Sequence, residues 1–541
     1  MSSFIFNGRK VILPGAYSVI QSGETNPPRN LDYGKVLIID TGTAGANFGG
    51  GSGINGQLAS GQNAVYSFST LEDFRFYMKG GLFWRIAEAL FAPDPANPGA
   101  VGISQLYFCR ACTTTSATMS FATTAGGTLK ILTRDEGLWA NGIVAEENLV
   151  TGFAYQIIPG VIDPAKWILQ IYRGTFTGLA EDGLPYGDET AAQSTPQLMV
   201  VSPEFNNMNA LLNWAKNDSS FNSYFAVDPT SAVEVDGNIS QADITAVSGW
   251  QVATGATESY SSTNVDAALA AVTGLDYNIV FTDQYGDNAA GTTYKKIITH
   301  LNNVSKFDHF LYIGGYGEAG KFSDDITLAQ GFDSPRVVLV HGDAGINTEL
   351  SPVGYRWWTV MYTLAAVVGR ISGKAPQIPG TNKPIGIDRL RHVLSDTEKE
   401  QAIENGVLVV TKNDYINKFV ILEDVNTLQD NANLFNAKGY SPYIQFMRIV
   451  YQLNRELVVN AEIDLLGDEN GVNLNTLSAN TVKSWTVAYL QSRVATDSED
   501  NLILDFQDVN VTKKEDAWFV TYKVRVNSEI NKLFFTGFLI R

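Results

Sequence analysis

Cysteine and histidine are nearly absent from this chain. Cys109 and Cys112 are its two cysteines, and His300, His309, His341 and His392 its four histidines, among 541 residues. So few cysteines exclude a disulfide framework. The C-x-x-C spacing would suit a redox pair or half a zinc site, but there is no second cysteine pair and the histidines show no ligand spacing. Cys109 lies within Leu106-Tyr107-Phe108-Cys109-Arg110, which reads as a buried strand, where a thiol serves as a small hydrophobe. The expectation is no metal, no cofactor and folding in a reducing cytoplasm. Catalytic signatures are missing too: there is no G-x-S-x-G, no H-E-x-x-H and no grouped His/Asp/Ser set. General acid–base chemistry would fall to carboxylates, none of which stands out. The chain is not expected to be an enzyme.

Positive charge is also scarce. Lys and Arg number 38 against 56 Asp and Glu, a net charge of -18. That argues against a nucleic-acid partner, because phosphate binding draws on clustered Lys and Arg. It suits a protein kept soluble at high concentration before it assembles. No apolar run approaches the roughly 20 residues of a membrane-spanning helix. The opening Met1-Ser2-Ser3-Phe4 lacks the features of a signal peptide. No membrane insertion is expected. With 45% hydrophobic and 17% charged residues the chain is a folded one.

What the sequence does have is strand pattern at both ends. Residues Ala517 to Val526 alternate, with Phe519, Thr521, Lys523 and Arg525 against Val520, Tyr522, Val524 and Val526. After Asn527-Ser528-Glu529, the stretch Ile530 to Arg541 concentrates Leu533, Phe534, Phe535, Phe538 and Leu539. Near the start stand Phe4-Ile5-Phe6, Val11-Ile12-Leu13 and Tyr17-Ser18-Val19-Ile20. Apolar terminal strands with open edges are templates for pairing with another chain. Val11, Leu13, Tyr17 and Val19, with the five C-terminal apolar residues, are the expected interface.

Between the ends the pattern predicts an α+β, multidomain chain. Its mixed-sheet core is assembled from N- and C-terminal segments, with β-rich inserted outer domains and extended terminal arms. The expected divisions are an arm over 1–24, core over 25–115, inserted domains over 116–344, core again over 345–525, and a final arm strand over 526–541. Val36 to Asp40 and Gln105 to Arg110 read as strands, and Leu71 to Phe91 as a helix broken near Gly80-Gly81. Tyr355 to Arg370 and Ile387 to Leu394 are helix candidates. Ser395-Asp396-Thr397-Glu398 is a capping box opening another helix that stops at Gly406. Ser441 and Pro442 fit N-cap and first-turn positions of a long helix to about Ala461, and Val482, Trp485 and Tyr489 mark a further one.

Gly315-Tyr316-Gly317-Glu318-Ala319-Gly320-Lys321 matches the spacing of a phosphate-binding loop, but Phe322 stands where Ser or Thr should bind Mg²⁺. Gly51 to Gly56 matches G-x-G-x-x-G in a stretch rich in glycine, far from a strand end. A glycine-rich turn is the better reading of each. A nucleotide-binding enzyme using Gly315 to Lys321 remains one alternative. Another structural assembly subunit, from a baseplate or surface layer, is the other.

Taken in order, several segments resemble the tail sheath proteins of contractile bacteriophages and injection systems. They are Val11-Ile12-Leu13-Pro14-Gly15-Ala16-Tyr17; Ala64 to Phe76 with Leu82 to Phe91; and Leu106 to Ala111. Asp135-Glu136-Gly137-Leu138-Trp139-Ala140-Asn141-Gly142 follows, with Ala140 in place of the family's usual glycine. The passage from Thr363 to Ile387 completes the series. The resemblance implies a structural subunit of a contractile tail sheath, polymerising as stacked hexameric rings through β-augmentation by its terminal arms, with Gly15, Gly23, Pro27 and Pro28 as the expected hinges. It implies as partners copies of itself, the tail tube protein, and baseplate and tail terminator proteins. The location implied is the virion, after assembly in the host cytoplasm.

Overall fold

The computed structural model describes residues 4–6, 9–11, 33–40, 65–78, 82–97, 99–122, 128–134, 136–145, 148–174, 196–231, 250–285, 292–303, 308–317, 319–347, 355–429, 440–466, 478–494, 502–514 and 517–526. The chain divides into two compact units. One comprises residues 34–374 and 380–444, the other 1–33, 375–379 and 445–541.

The larger unit is built on a nine-stranded sheet. Its order is Pro384–Ile385, Lys418–Ile421, Val407–Asn413, Val337–His341, Phe310–Gly314, Ile279–Tyr285, Lys35–Asp40, Gln105–Arg110 and Val65–Phe68. The strands from Val407–Asn413 through Gln105–Arg110 pair in parallel, and antiparallel strands close both edges. Parallel strands are covered on both faces, so they read as unbroken apolar runs such as Val36-Leu37-Ile38-Ile39 and Val337-Val338-Leu339-Val340. Every one of those residues is buried. On one face Leu37, Val280, Leu311, Leu339 and Val407 meet helices Ser262–Val272, Thr292–Asn303, Phe322–Phe332 and Asp396–Glu404. On the other, Phe83 of helix Leu82–Phe91 sets its ring against Phe108 and Phe281, and helix Val360–Ser372 is buried along its whole length.

A second core of this unit gathers Met119, Leu129, Ile131, Phe153, Leu169, Phe221 and Phe225. It lies between a three-stranded and a four-stranded antiparallel sheet, formed by strands from Thr118–Ala122 to Gln251–Val252, with helices Met208–Asn217 and Ser219–Tyr224. The combination of helices and mixed sheets fits the α+β expectation. The structure draws the insertion's boundary elsewhere, however. Strands Ile279–Tyr285, Phe310–Gly314 and Val337–His341 fall inside the expected 116–344 insert yet form the middle of the nine-stranded sheet. Phe310 to Ile313 and Val337 to Val340 read as strands from their apolar runs, but nothing local in them shows that they share a parallel sheet with Lys35–Asp40.

Three local expectations are corrected. The segment 387–394 is not a helix: Arg389–Leu390 pairs with Ala344 and Gly345 instead. Tyr355 to Arg370 splits into a strand, Tyr355–Trp357, and the helix Val360–Ser372, because Trp357 pairs with Gly345. Ser441 does not cap the long helix, which begins at Ile444. Its hydroxyl accepts from Tyr443 N–H at 3.1 Å, and Pro442 O accepts from Asn426 N–H at 2.8 Å. The capping box at Ser395 and Glu398 is formed as read, and Gly406 just beyond has a φ of 70°.

In the smaller unit Phe4–Phe6 pairs antiparallel with Arg9–Val11. Helix Ile444–Ala461, helix Ala479–Ser492 and the long hairpin Asp505–Lys514/Ala517–Arg525 are its main described elements, with a one-turn π-helix, Glu462–Leu466, following the first. Ile449, Leu453, Leu490, Leu502, Ile503 and Val509 form its core.

Candidate assembly surface

An isolated two-stranded hairpin is marginally stable in water, and one this long needs a helix beneath it. Val520, Tyr522, Val524 and Val526 supply the underside by packing against the core of the smaller unit, and Tyr522 Oη donates to Asn454 Oδ1 at 2.6 Å. The alternate residues Phe519, Thr521, Lys523 and Arg525 are exposed, as the period-2 reading requires. Phe519 is 50% exposed, a large aromatic on the outer face. Among the described residues the sheet has two strands, so each has one edge without a ladder partner. The two edges differ. The register of Asp505–Lys514 shifts between Gln507 and Asn510, where Asp508 takes a φ of 55° and holds Lys523 Nζ at 2.7 Å. Ala517–Arg525 is regular and runs into Val526, the last described residue.

A buried polar cluster fixes the helices under the hairpin. Glu456 accepts from Arg493 Nη2 at 2.8 Å, from Tyr489 Oη at 2.5 Å and from Gln452 Nε2 at 2.8 Å. The Arg493 and Glu456 side chains are 4% and 1% exposed. Burial, reinforced by the neighbouring Glu456 carboxylate, pushes the Tyr489 phenol well above its ordinary range. Trp485 stacks on Tyr489 and donates its indole N–H to Asp464 at 2.9 Å.

Of the residues expected to form interfaces, Val11 lies in the strand Arg9–Val11. Leu13, Tyr17, Val19, Leu533, Phe534, Phe535, Phe538 and Leu539 lie outside the described residues, as do the hinges Gly15, Gly23, Pro27 and Pro28 and the glycines from Gly51 to Gly56.

The loop at Gly315 does not present itself to a phosphate. Tyr316 N–H donates to Asp325 Oδ1 at 2.7 Å, so a backbone donor that would face an anion is taken by the chain's own carboxylate. Lys321 pairs with Asp324 at 3.1 Å and lies over the Tyr316 ring. Asp324 and Asp325 put negative charge in the first turn of the following helix, the end that favours anions when left uncompensated. Cys109 and Cys112 are free thiols, both buried. Burial, with Asp40 nearby, pushes Cys109 up to about 12. Among the described residues no group of His, Cys, Asp and Glu could hold a metal ion, and no helix is long and apolar enough to cross a membrane.

The motif residues instead hold joints. Arg110, closing its strand, faces Glu136 at 4.0 Å with both side chains buried, and Thr114 Oγ1 donates to the same carboxylate at 2.6 Å. Asn141 clamps Ala256 from both sides, accepting its N–H and donating to its C=O at 2.9 Å each. Gly369 lets helix Val360–Ser372 close on its neighbour, since a Cβ there would lie 2.5 Å from Ala89 O and Leu90 O. Only side-chain geometry reveals these pairings, although Arg110, Glu136, Asn141 and Gly369 lie in the segments that carry the family resemblance.

No family model matches the chain. Over 97% of its length it is 22% identical to the tail sheath protein of Bacillus phage SP01, covering 95% of that protein. Among solved structures, the sheath tail protein of Desulfitobacterium hafniense aligns with a TM-score of 0.55 at 13% identity, over 94% of this chain and 100% of the other. The contracted helical sheath of the anti-feeding prophage aligns over 97% of this chain and 99% of its own at 9% identity, with a TM-score of 0.44. The fold is like that of the Desulfitobacterium hafniense sheath tail protein, and the sequence relative is matched over 97% of this chain. The chain is thus similar over nearly its full length to a tail sheath protein and shares the fold of a sheath tail protein, the likeness the motif order had implied.

Proposed function

We propose that this protein is the subunit of a contractile tail sheath, polymerising as stacked hexameric rings around a tail tube. Its terminal arms add strands to sheets of neighbouring copies, and contraction drives the tube through the host envelope. The observation that carries this reading is the hairpin Asp505–Lys514/Ala517–Arg525, a long two-stranded sheet seated on helices, with open edges among the described residues. Its regular strand leads directly into the apolar segment from Ile530 to Arg541. A strand laid on such an edge forms backbone hydrogen bonds worth about 0.5–1.5 kcal/mol each, while apolar side chains fill pockets on the acceptor. Phe534, Phe535, Phe538 and Leu539 are those side chains, and Val11, Leu13, Tyr17 and Val19 serve the N-terminal arm. Gly15, Gly23, Pro27 and Pro28 absorb the change in arm direction as rings move. The β-rich module lies outside and the nine-stranded sheet inside, toward the tube. Tube, baseplate and tail terminator proteins are the other partners, in the virion after assembly in the host cytoplasm. The role is structural rather than enzymatic.

Negative-stain electron microscopy of the purified chain over a range of concentrations tests the reading. Hollow cross-striated tubes or stacked rings are expected. A closed small oligomer that persists when the tube protein is added would overturn it.

A further inference from the structure

The end of the nine-stranded sheet carries four titratable side chains in line, none of which the sheath reading uses. Asp325, on helix Phe322–Phe332, places Oδ2 2.5 Å from Nδ1 of His341, the last residue of its strand. These side chains are 0% and 1% exposed. His341 Nε2 lies 3.0 Å from His392 Nδ1. His392 Nε2 in turn faces Glu398 Oε1 at 3.5 Å. The Phe322 ring stands edge-on to both imidazoles.

Counting protons along the line leaves one position undetermined. An ionised Asp325 only accepts, so His341 Nδ1 carries hydrogen. A neutral His341 then offers Nε2 as an acceptor, and His392 Nδ1 must donate. His392 Nε2 remains, at the end of the line nearest the surface, where the Glu398 side chain is 33% exposed. At 3.5 Å the contact with Glu398 is longer than a charge-assisted hydrogen bond, which fits a neutral His392. Burial holds its pKa below the ordinary value, against the pull of Glu398. The neighbouring cation Arg391 is directed to Asp343 at 3.5 Å and over the Trp357 ring. Glu398 is itself committed, accepting Ser395 N–H at 2.8 Å and the Ser395 hydroxyl at 2.7 Å.

We propose that Asp325, His341, His392 and Glu398 form an acid-sensitive clasp, in which proton uptake at His392 Nε2 loosens the 389–398 segment from the end of the sheet. A charged His392 is poorly solvated where it sits. It also competes with Ser395 for Glu398, drawing the carboxylate out of the capping box. The linkage has one sign. Because the folded pKa lies below the ordinary 6.5, the closed clasp is at full strength above that pH and weakens as pH falls through the lowered value.

Hydrogen exchange on the full-length chain tests this, comparing about pH 7.5 with about pH 5 after correction for intrinsic rates. Amides of helix Asp396–Glu404 should exchange at least about fivefold faster at the lower pH. His392→Asn, which keeps a donor toward His341 and cannot titrate, should abolish the response. Unchanged protection in the natural chain, or an equal response in His392→Asn, would overturn the proposal. Nitrogen-15 spectra of the four histidines give a second readout that needs no variant. His392 must titrate below the ordinary histidine value, and a midpoint at or above it defeats the clasp.

Discussion

Glu456 holds together the platform on which the hairpin rests, and its replacement by glutamine gives a quantitative test. The side chain of Gln would keep the size and still accept a hydrogen bond, so the change isolates charge. What it leaves is the Arg493 guanidinium, 4% exposed, without its carboxylate. Breaking a buried pair from one side costs about 3–5 kcal/mol, because the remaining charge stays out of water without compensation. Losing charge assistance from the Tyr489 bond acts in the same direction. On the melting transition of the smaller unit that amounts to a fall of roughly 10–20 °C. Glu456→Met with Arg493→Met removes both charges, and an apolar pair of similar volume should recover most of the loss. Calorimetry with limited proteolysis of residues 445–526 reads both variants. The reasoning fails if Glu456→Gln melts within about 3 °C of the natural chain, or if the double variant is no better than the single.

Deleting residues 530–541, or replacing Phe534 and Phe538 by Asp, should leave a folded monomer that no longer polymerises; normal assembly by sedimentation would refute the C-terminal arm. Gly369→Ala should destabilise the larger unit by about 1–3 kcal/mol, since the added methyl meets two backbone carbonyls at 2.5 Å; denaturant unfolding measures it, and an unchanged midpoint would refute the close helix approach. Neither thiol should react with a disulfide reagent in the native chain near pH 8, because both are buried and the Cys109 pKa stands at about 12; rapid modification of one thiol per chain would contradict this.

Elements that follow from a single local pattern were legible in the sequence. The alternation from Ala517 onward sorted exposed from packed residues, and the Ser395 capping box is formed with both reciprocal bonds. What sequence alone misplaced were elements decided by partners far along the chain. Residues 387–394 have apolar spacing suited to a helix, yet Ala344 and Gly345 draw Arg389 and Leu390 into a sheet. Lys35–Asp40 and Ile279–Tyr285 are adjacent parallel strands separated by a whole β-rich module, and nothing local encodes that pairing. The buried Glu456–Tyr489–Arg493 cluster went unseen because its members, spread over two helices, carry no motif. The Asp325–His341–His392 line was hidden likewise, its residues standing 16 and 51 positions apart.

The recognisable motifs of this chain mark where segments are joined. Arg110 and Glu136 share a buried contact at the point where the chain leaves the nine-stranded sheet. Asn141 ties the far end of the β-rich module, at Ala256, to its beginning. Gly386 N–H donates to Pro93 O at 2.6 Å, joining segments that lie far apart in sequence. Each is a hydrogen bond or ion pair between segments distant in sequence. An arginine and a glutamate buried at the end of a parallel sheet suggest chemistry, but here Glu136 is also bonded to Thr114 and the pair closes a joint. That use of charge fits the sheath subunit proposed above, in which the terminal strands rather than the interior would accommodate movement.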